Sequence, residues 1–311
     1  MRYVVMFAFA FAAWRAVGMD DGRVLEAILE LPDTLRYPGS QAVMEIEKGA
    51  DLVEVLSRKW ASCGPKDQAK VLSFVVNLAN AKVASRQQYY RVSDAKVVKA
   101  LVEALDSAMP EVRACAASLL ASDIDEGALR SVGADIVRLV GKHGNVDGIL
   151  LLGRTGRQDA RELLSTDRRF LSYSKDAVQL ALAKLGDADA EAELIRAFEN
   201  AKDPRDKHRC ADSLGYVGFD RAVRALAAEL RTPEEIRYGA LYSLRVFIIS
   251  ALSRACPKEE VLWKPQEQEQ PKDDAYYEQV ENWAVRKCGT VWKHPRPRFF
   301  YTMAMPGRPV P

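Results

Sequence analysis

The sequence predicts an all-α protein: a solenoid of stacked helix pairs, closed by a C-terminal segment that does not repeat. Three observations carry this. Similar stretches recur: LLGRTGRQDARELL from Leu151, ALAKLGDADAEAELIRAF from Ala181 and SLGYVGFDRAVRALAAEL from Ser213. Aligned on Gly156, Gly186 and Gly218, they repeat at spacings of 30 and 32 residues, a period typical of repeat architectures. Apolar residues on either side of each glycine follow a helical rather than an alternating period. The composition, 48% apolar and 28% charged, suits a soluble chain with a sizeable core.

The chain begins with a different pattern. Met1 and Arg2 precede the apolar run Val4–Trp14, and Ala16-Val17-Gly18 supplies small residues just before the acidic Asp20-Asp21. A basic start, an apolar stretch and a small-residue cleavage site are the parts of a secretory signal. A buried first helix or an uncleaved anchor is the competing reading, but eleven apolar residues from Val4 to Trp14 are short for an anchor, and Arg15 fits a buried helix poorly. Residues 1–18 are therefore expected to be a signal peptide, cleaved near Gly18, which places the mature chain outside the cytoplasm, secreted or periplasmic. No interior apolar run is long enough to span a membrane.

Cleavage changes the charge. The signal holds Arg2 and Arg15 and no acid, so 45 − 2 = 43 basic residues face 43 acidic ones. Nucleic-acid binding through phosphates needs a basic surplus, and none is expected here.

Residues 19–93 read as an N-terminal helical region. Ala42–Ala61 and Lys66–Val83 have helical periodicity without a landmark glycine, as degenerate or capping repeats would. Residues 94–250 form the repeats proper. In each, a helix ends at a glycine that tolerates the left-handed conformation. Asp159, Asp187 or Asp220 follows, at or near the start of a second helix whose free N–H groups a carboxylate can cap. A proline landmark, Pro110-Glu-Val-Arg113, Pro204-Arg-Asp-Lys207 or Pro233-Glu-Glu-Ile-Arg237, marks a helix's first turn. The second helices are one-sided: Ala190, Leu194, Ile195 and Phe198 form one stripe, and Ala222, Val223, Leu226 and Leu230 another.

The combined pattern, Asp106–Leu120 (DSAMPEVRACAASLL) and Ser213–Leu226 (SLGYVGFDRAVRAL), resembles HEAT repeats, specifically the short HEAT-like units also found in phycobilisome lyases. The resemblance covers about half the chain. It implies a right-handed superhelix of helix pairs, an armadillo-like binding scaffold, and second helices that line a concave face.

Candidate chemistry is sparse. The three histidines, His143, His208 and His294, occur in no H-E-x-x-H, and no C-x-x-C is present, so no metal site and no cofactor are expected. The His-Glu pairs of HEAT-like hydroxylases are missing. HEAT-like DNA glycosylases need aromatic platforms, yet none of the five tryptophans lies between Ala61 and Leu262. No catalytic residue is assigned. Arg157, Arg161, Arg196, Arg221 and Arg224 fall on solvent-side positions of second helices. Read as a ladder they would grip carboxylates of an acidic partner segment. Read as a solvated face they are balanced by Glu162, Glu193, Glu199 and Asp220.

Of the five cysteines, Cys115 and Cys210 replace small apolar residues of the pattern and are expected to be buried; Cys63 stands in a turn. Cys256 and Cys288 both lie where helices end, outside the repeats, and are expected to form a disulfide if the chain is exported; Cys63 is an equally available partner.

Residues 251–311 form the C-terminal extension. Glu267–Lys272 reads as a linker. Asp274–Lys287 predicts one more helix, with Tyr277, Val280 and Ala284 as its stripe and Gly289 as its stop. This segment either caps the open end of the solenoid or docks on another protein, and the tail from Trp292 onward is basic, proline-rich and extended.

The function expected from these parts is a non-catalytic scaffold that binds a protein or peptide along its concave second helices. The alternative is a lyase-like or pseudo-enzyme relative with a small ligand in a concave pocket.

Overall fold

A computed structural model of the chain describes residues 20–31, 40–47, 50–83, 92–238, 240–262, 274–289 and 292–296. The expected signal, the linker Glu267–Lys272 and the end of the tail lie outside these residues. The chain forms two compact units, residues 1–178 and 179–311, which divide within one helix, Lys175–Lys184. The described residues are overwhelmingly helical, and within each unit helices pack on near neighbours in sequence, a solenoid-like arrangement.

In the first unit, α1 (Asp21–Glu30) is capped by Asp20, which accepts from the Arg23 N–H at 3.0 Å. The periodic stretch Ala42–Ala61 is not one helix. It is α2 (Gln41–Glu47) and α3 (Leu52–Lys59), because the Asp51 carboxylate between them accepts from the amides of Val53 and Glu54 and starts a new helix. Next come α4 (Pro65–Val83), α5 (Ala95–Ala104) and α6 (Pro110–Asp123), with Pro110 at the first helical position, where its missing N–H has no cost. α1 packs on α3, α3 on α4 and α5, and both α4 and α5 on α6.

Then follow α7 (Glu126–Ser131), α8 (Gly133–His143), α9 (Ile149–Arg154), α10 (Gln158–Thr166) and α11 (Arg168–Tyr173), and α12 (Lys175–Lys184) crosses into the second unit. Arg154, at the end of α9, is buried. Its guanidinium donates to the carbonyls of Leu120, Ala121 and Ile124, the last turn of α6. Those carbonyls have no partner within their own helix, and the positive charge also suits a helix C-terminus.

The second unit holds α13 (Ala188–Asn200), which carries the predicted stripe, then α14 (Pro204–Val217) and α15 (Asp220–Ala228). Asp187 caps α13 by accepting from the amides of Asp189 and Ala190. Asp220 and Asp159 do not take the cap position. They sit in the first turns of their helices, where their charge meets the positive end of the helix dipole. Gly156, Gly186 and Gly218 have φ of 67°, 87° and 72°. At Gly186 the Asp187 N–H reaches back to the Leu182 carbonyl, the bond pattern that closes a helix on a left-handed glycine.

The third proline landmark behaves differently. Pro233 precedes a two-stranded antiparallel hairpin, β1 (Glu235–Tyr238) and β2 (Ala240–Ser243), with Glu235 opposite Ser243. At Pro204, Asp203 caps the helix; at Pro233 the preceding Thr232 hydroxyl accepts from Glu234 N–H at 3.3 Å, a local turn. The β-branched and aromatic residues that follow then favour strand. The helix α16 (Leu244–Ala255) starts only after the hairpin.

The α14–α16 contact is close. A Cβ at Gly215 would stand 2.7 Å from the Ala251 carbonyl oxygen and 2.9 Å from its Cα. The predicted terminal helix is present as α17 (Asp274–Cys288), packed on α15, with Tyr277, Val280 and Ala284 buried and Gly289 at φ 58°. Its stripe joins Phe198, Leu214, Leu226, Ile248 and Trp283 in one core. Each large apolar side chain buried there contributes roughly 1.5–3 kcal/mol. Among the described residues, no helix is long and apolar enough to cross a membrane.

Candidate functional site

The five arginines divide between the two units. Arg157 precedes α10 and is held by Asp159, its Nε 2.9 Å from Oδ1; Arg161 is half-buried on the same helix. In the second unit Arg196 of α13 and Arg221 and Arg224 of α15 are exposed. Arg221 lies 3.5 Å from the buried Glu191 carboxylate. Arg196 turns back to the Ala192 carbonyl of its own helix, at 3.4 Å. Arg224 has no hydrogen-bond or ion-pair partner among the described residues.

The cysteines depart from expectation in detail. Cys115 and Cys210 are half-buried rather than buried. Cys115 lies 3.4 Å from the Ser73 hydroxyl and 3.5 Å from the Ala69 carbonyl, so it faces polar neighbours. Cys63, in the turn where the sequence puts it, is buried, and burial raises its thiol pKa. Cys256 and Cys288, the expected disulfide pair, are not joined; both lie half-buried against the same core, at the C-terminal ends of α16 and α17. Burial pushes the Cys256 thiol up to about 11, the nearby Lys287 opposing it, so little nucleophilic thiolate forms at neutral pH.

Each histidine sits beside a carboxylate. His143 Nε2 lies 2.7 Å from Asp106 Oδ1, which also receives Lys142 Nζ at 2.6 Å. These hydrogen bonds hold the Asp106 carboxyl down at about 2. His208 stacks on Phe247 and approaches Asp212 at 3.3 Å. Among the described residues, no group of histidine, cysteine and carboxylate side chains has the geometry of a metal site.

Among the described residues, Glu229, which periodicity does not single out, gathers three cationic or imidazole side chains. It follows the last turn of α15, and its side chain is only 3% exposed. Lys207 of α14, itself buried, reaches Oε2 at 3.2 Å. The other ligands come from the C-terminal segment: His294 Nε2 at 2.9 Å from Oε2 and Lys293 Nζ at 3.4 Å from Oε1. Lys293 also reaches Glu199 of α13 at 3.1 Å, and its backbone N–H donates to the Ala228 carbonyl at 3.2 Å. Burial alone would raise the Glu229 carboxyl, but the His294 hydrogen bond and the Lys207 and Lys293 charges outweigh it and leave the pKa below its usual value.

A second layer stands beside it. Arg231 grips Glu281 of α17 through Nε and Nη2 at 2.8 and 3.2 Å, and its guanidinium lies 4.2 Å from the centre of the Trp292 ring. Arg296 approaches Glu278 and Glu281 at 3.5 and 3.8 Å. The five residues Trp292–Arg296 are thus read by four carboxylates, a carbonyl and a guanidinium on the body of the unit. The only sequence signal for this was the clustering of aromatic and basic residues after Gly289.

No protein-family model matches the chain, and no curated protein matches it.

Proposed function

We propose that the chain is a non-catalytic, extracytoplasmic scaffold of HEAT-like repeats that takes an acidic protein or peptide segment on its second helices. The observation that carries this reading is the exposure of Arg196 and Arg224 on α13 and α15, with Arg224 unneutralised among the described residues. Guanidinium groups held on alternate helices, the second helices of successive pairs, present forks that carboxylates fit bidentately. Stacked helix pairs offer an extended surface for such a segment, and rigid helices lower the ordering cost of binding.

The test is a pull-down of the mature protein from its own envelope fraction after crosslinking. A stoichiometric partner is expected, lost when Arg196 and Arg224 are both replaced by glutamate. Recovery of no partner, or of one that the double variant retains, overturns the reading. The compartment has its own check, an N-terminus near Met19 on the protein recovered from that fraction. Intact Met1 on cytosolic protein would refute export.

A further inference from the structure

We propose that Glu199, Glu229 and Arg231 form a recognition seat for a basic peptide led by an aromatic residue, and that the chain's own Trp292–Arg296 segment occupies it in cis. This seat is distinct from the arginine surface of the proposed function, and its ligand has the opposite charge.

The contacts that hold the segment read its sequence. The Lys293 amide donates to the Ala228 carbonyl, which fixes the backbone. Lys293 and His294 address opposite oxygens of one carboxylate, and Lys293 is shared with Glu199. Trp292 lies on the Arg231 guanidinium, which Glu281 holds in place through two hydrogen bonds. A backbone bond combined with side-chain pockets is how extended peptides are recognised generally. None of these contacts requires the peptide to belong to the same chain.

The seat is also built to survive without its occupant. Lys207 sits 3.2 Å from Glu229 and stays behind when the segment leaves, so the buried carboxylate keeps a counter-charge. The arithmetic of the site then favours refilling. Arg231 is balanced by Glu281; with the segment seated, Glu199 and Glu229 face Lys207 and Lys293, and these charges cancel too. Without it, two carboxylates face one lysine, and the seat carries a net negative charge beside a bare guanidinium face. The occupant is held where solvent competes, since Lys293 and Arg296 are 36% and 51% exposed, so its ion pairs weaken with salt.

The experiment uses the full-length chain carrying K293A and H294A, which vacates the seat and leaves its walls intact. A labelled, end-blocked synthetic peptide Trp-Lys-His-Pro-Arg is titrated by fluorescence anisotropy. Binding to the double variant is expected at least tenfold tighter than to wild type, with a further tenfold loss when E229Q is added. A peptide with alanine in place of its Lys and His should not bind. A double variant with wild-type circular dichroism that fails to bind the peptide overturns the proposal, as does equal binding to wild type and variant. Hydrogen exchange on unmodified wild type supplies an independent reading. Excess peptide should accelerate exchange of the Lys293 amide about tenfold, and an unchanged rate also overturns it.

Discussion

Two of the three Lys-His dipeptides of this chain each bring both side chains to one shared carboxylate, with opposite weight. In the first unit Lys142 and His143 end a helix and grip Asp106, which is 44% exposed. In the second unit Lys293 and His294 lie in an extended segment and grip Glu229, which is 3% exposed and already paired with Lys207. The side-chain chemistry is the same and the distances are comparable. What differs is water. At Asp106 the solvent screens the pair and would replace it readily; at Glu229 the protein has displaced the solvent, and the charge depends on its partners. An ion pair has to be judged by the burial of its most hidden member, not by its length.

The comparison breaks most visibly at Glu229. Its replacement by alanine strands the buried Lys207 ammonium, and urea unfolding should show a loss of about 3–5 kcal/mol. Asp106→Ala, measured in the same way, should cost at most about 1 kcal/mol, because solvent screens its pairs. Acid sharpens the contrast. Both carboxyls are held below their ordinary values, so each contributes stability above those values that is lost as the pH falls through its folded pKa. Carbon-detected NMR should show the Glu229 carboxyl protonating below the usual glutamate range near 4.5, and Asp106 only at about 2. The Trp292 fluorescence should change with the first transition and ignore the second. Lys293→Ala should cost about 0.2–1 kcal/mol, because Glu229 keeps Lys207. The smallest effect expected is at Cys256. With its thiol at about 11, alkylation at pH 8 should run slower than for a free small thiol, and the gap should narrow as the pH rises.

Much of the helical architecture was legible because it is local. A glycine at Gly186 followed by Asp187 encodes a stop and a start within two residues, and the stripe Ala190–Phe198 needs no knowledge of the rest of the chain. The same local grammar failed at Pro233, where a proline followed by two glutamates looks like a helix start but Ile236 and its neighbours pair as strand. It also ran through Asp51, whose carboxylate divides a periodic stretch into two helices. The charged seat was illegible for a different reason. Glu229 and His294 are 65 positions apart, and in sequence Glu229 resembles any charge at a helix end. The expected arginine ladder shows the converse. Arg157 is absorbed by a neighbour two residues away and Arg221 by Glu191, while Arg224 remains open, and no spacing rule separates these three outcomes.

The glycine at 215 has a consequence for how this unit bears load. With the backbones of α14 and α16 in direct contact, the two helices have no play between them and form a single beam. Lys207 is mounted near one end of that beam through α14, and Arg245, whose Nη2 donates to the Thr232 carbonyl, through α16. The spacing of those two cations is thereby set as a machinist sets a tolerance, by the absence of one methyl group.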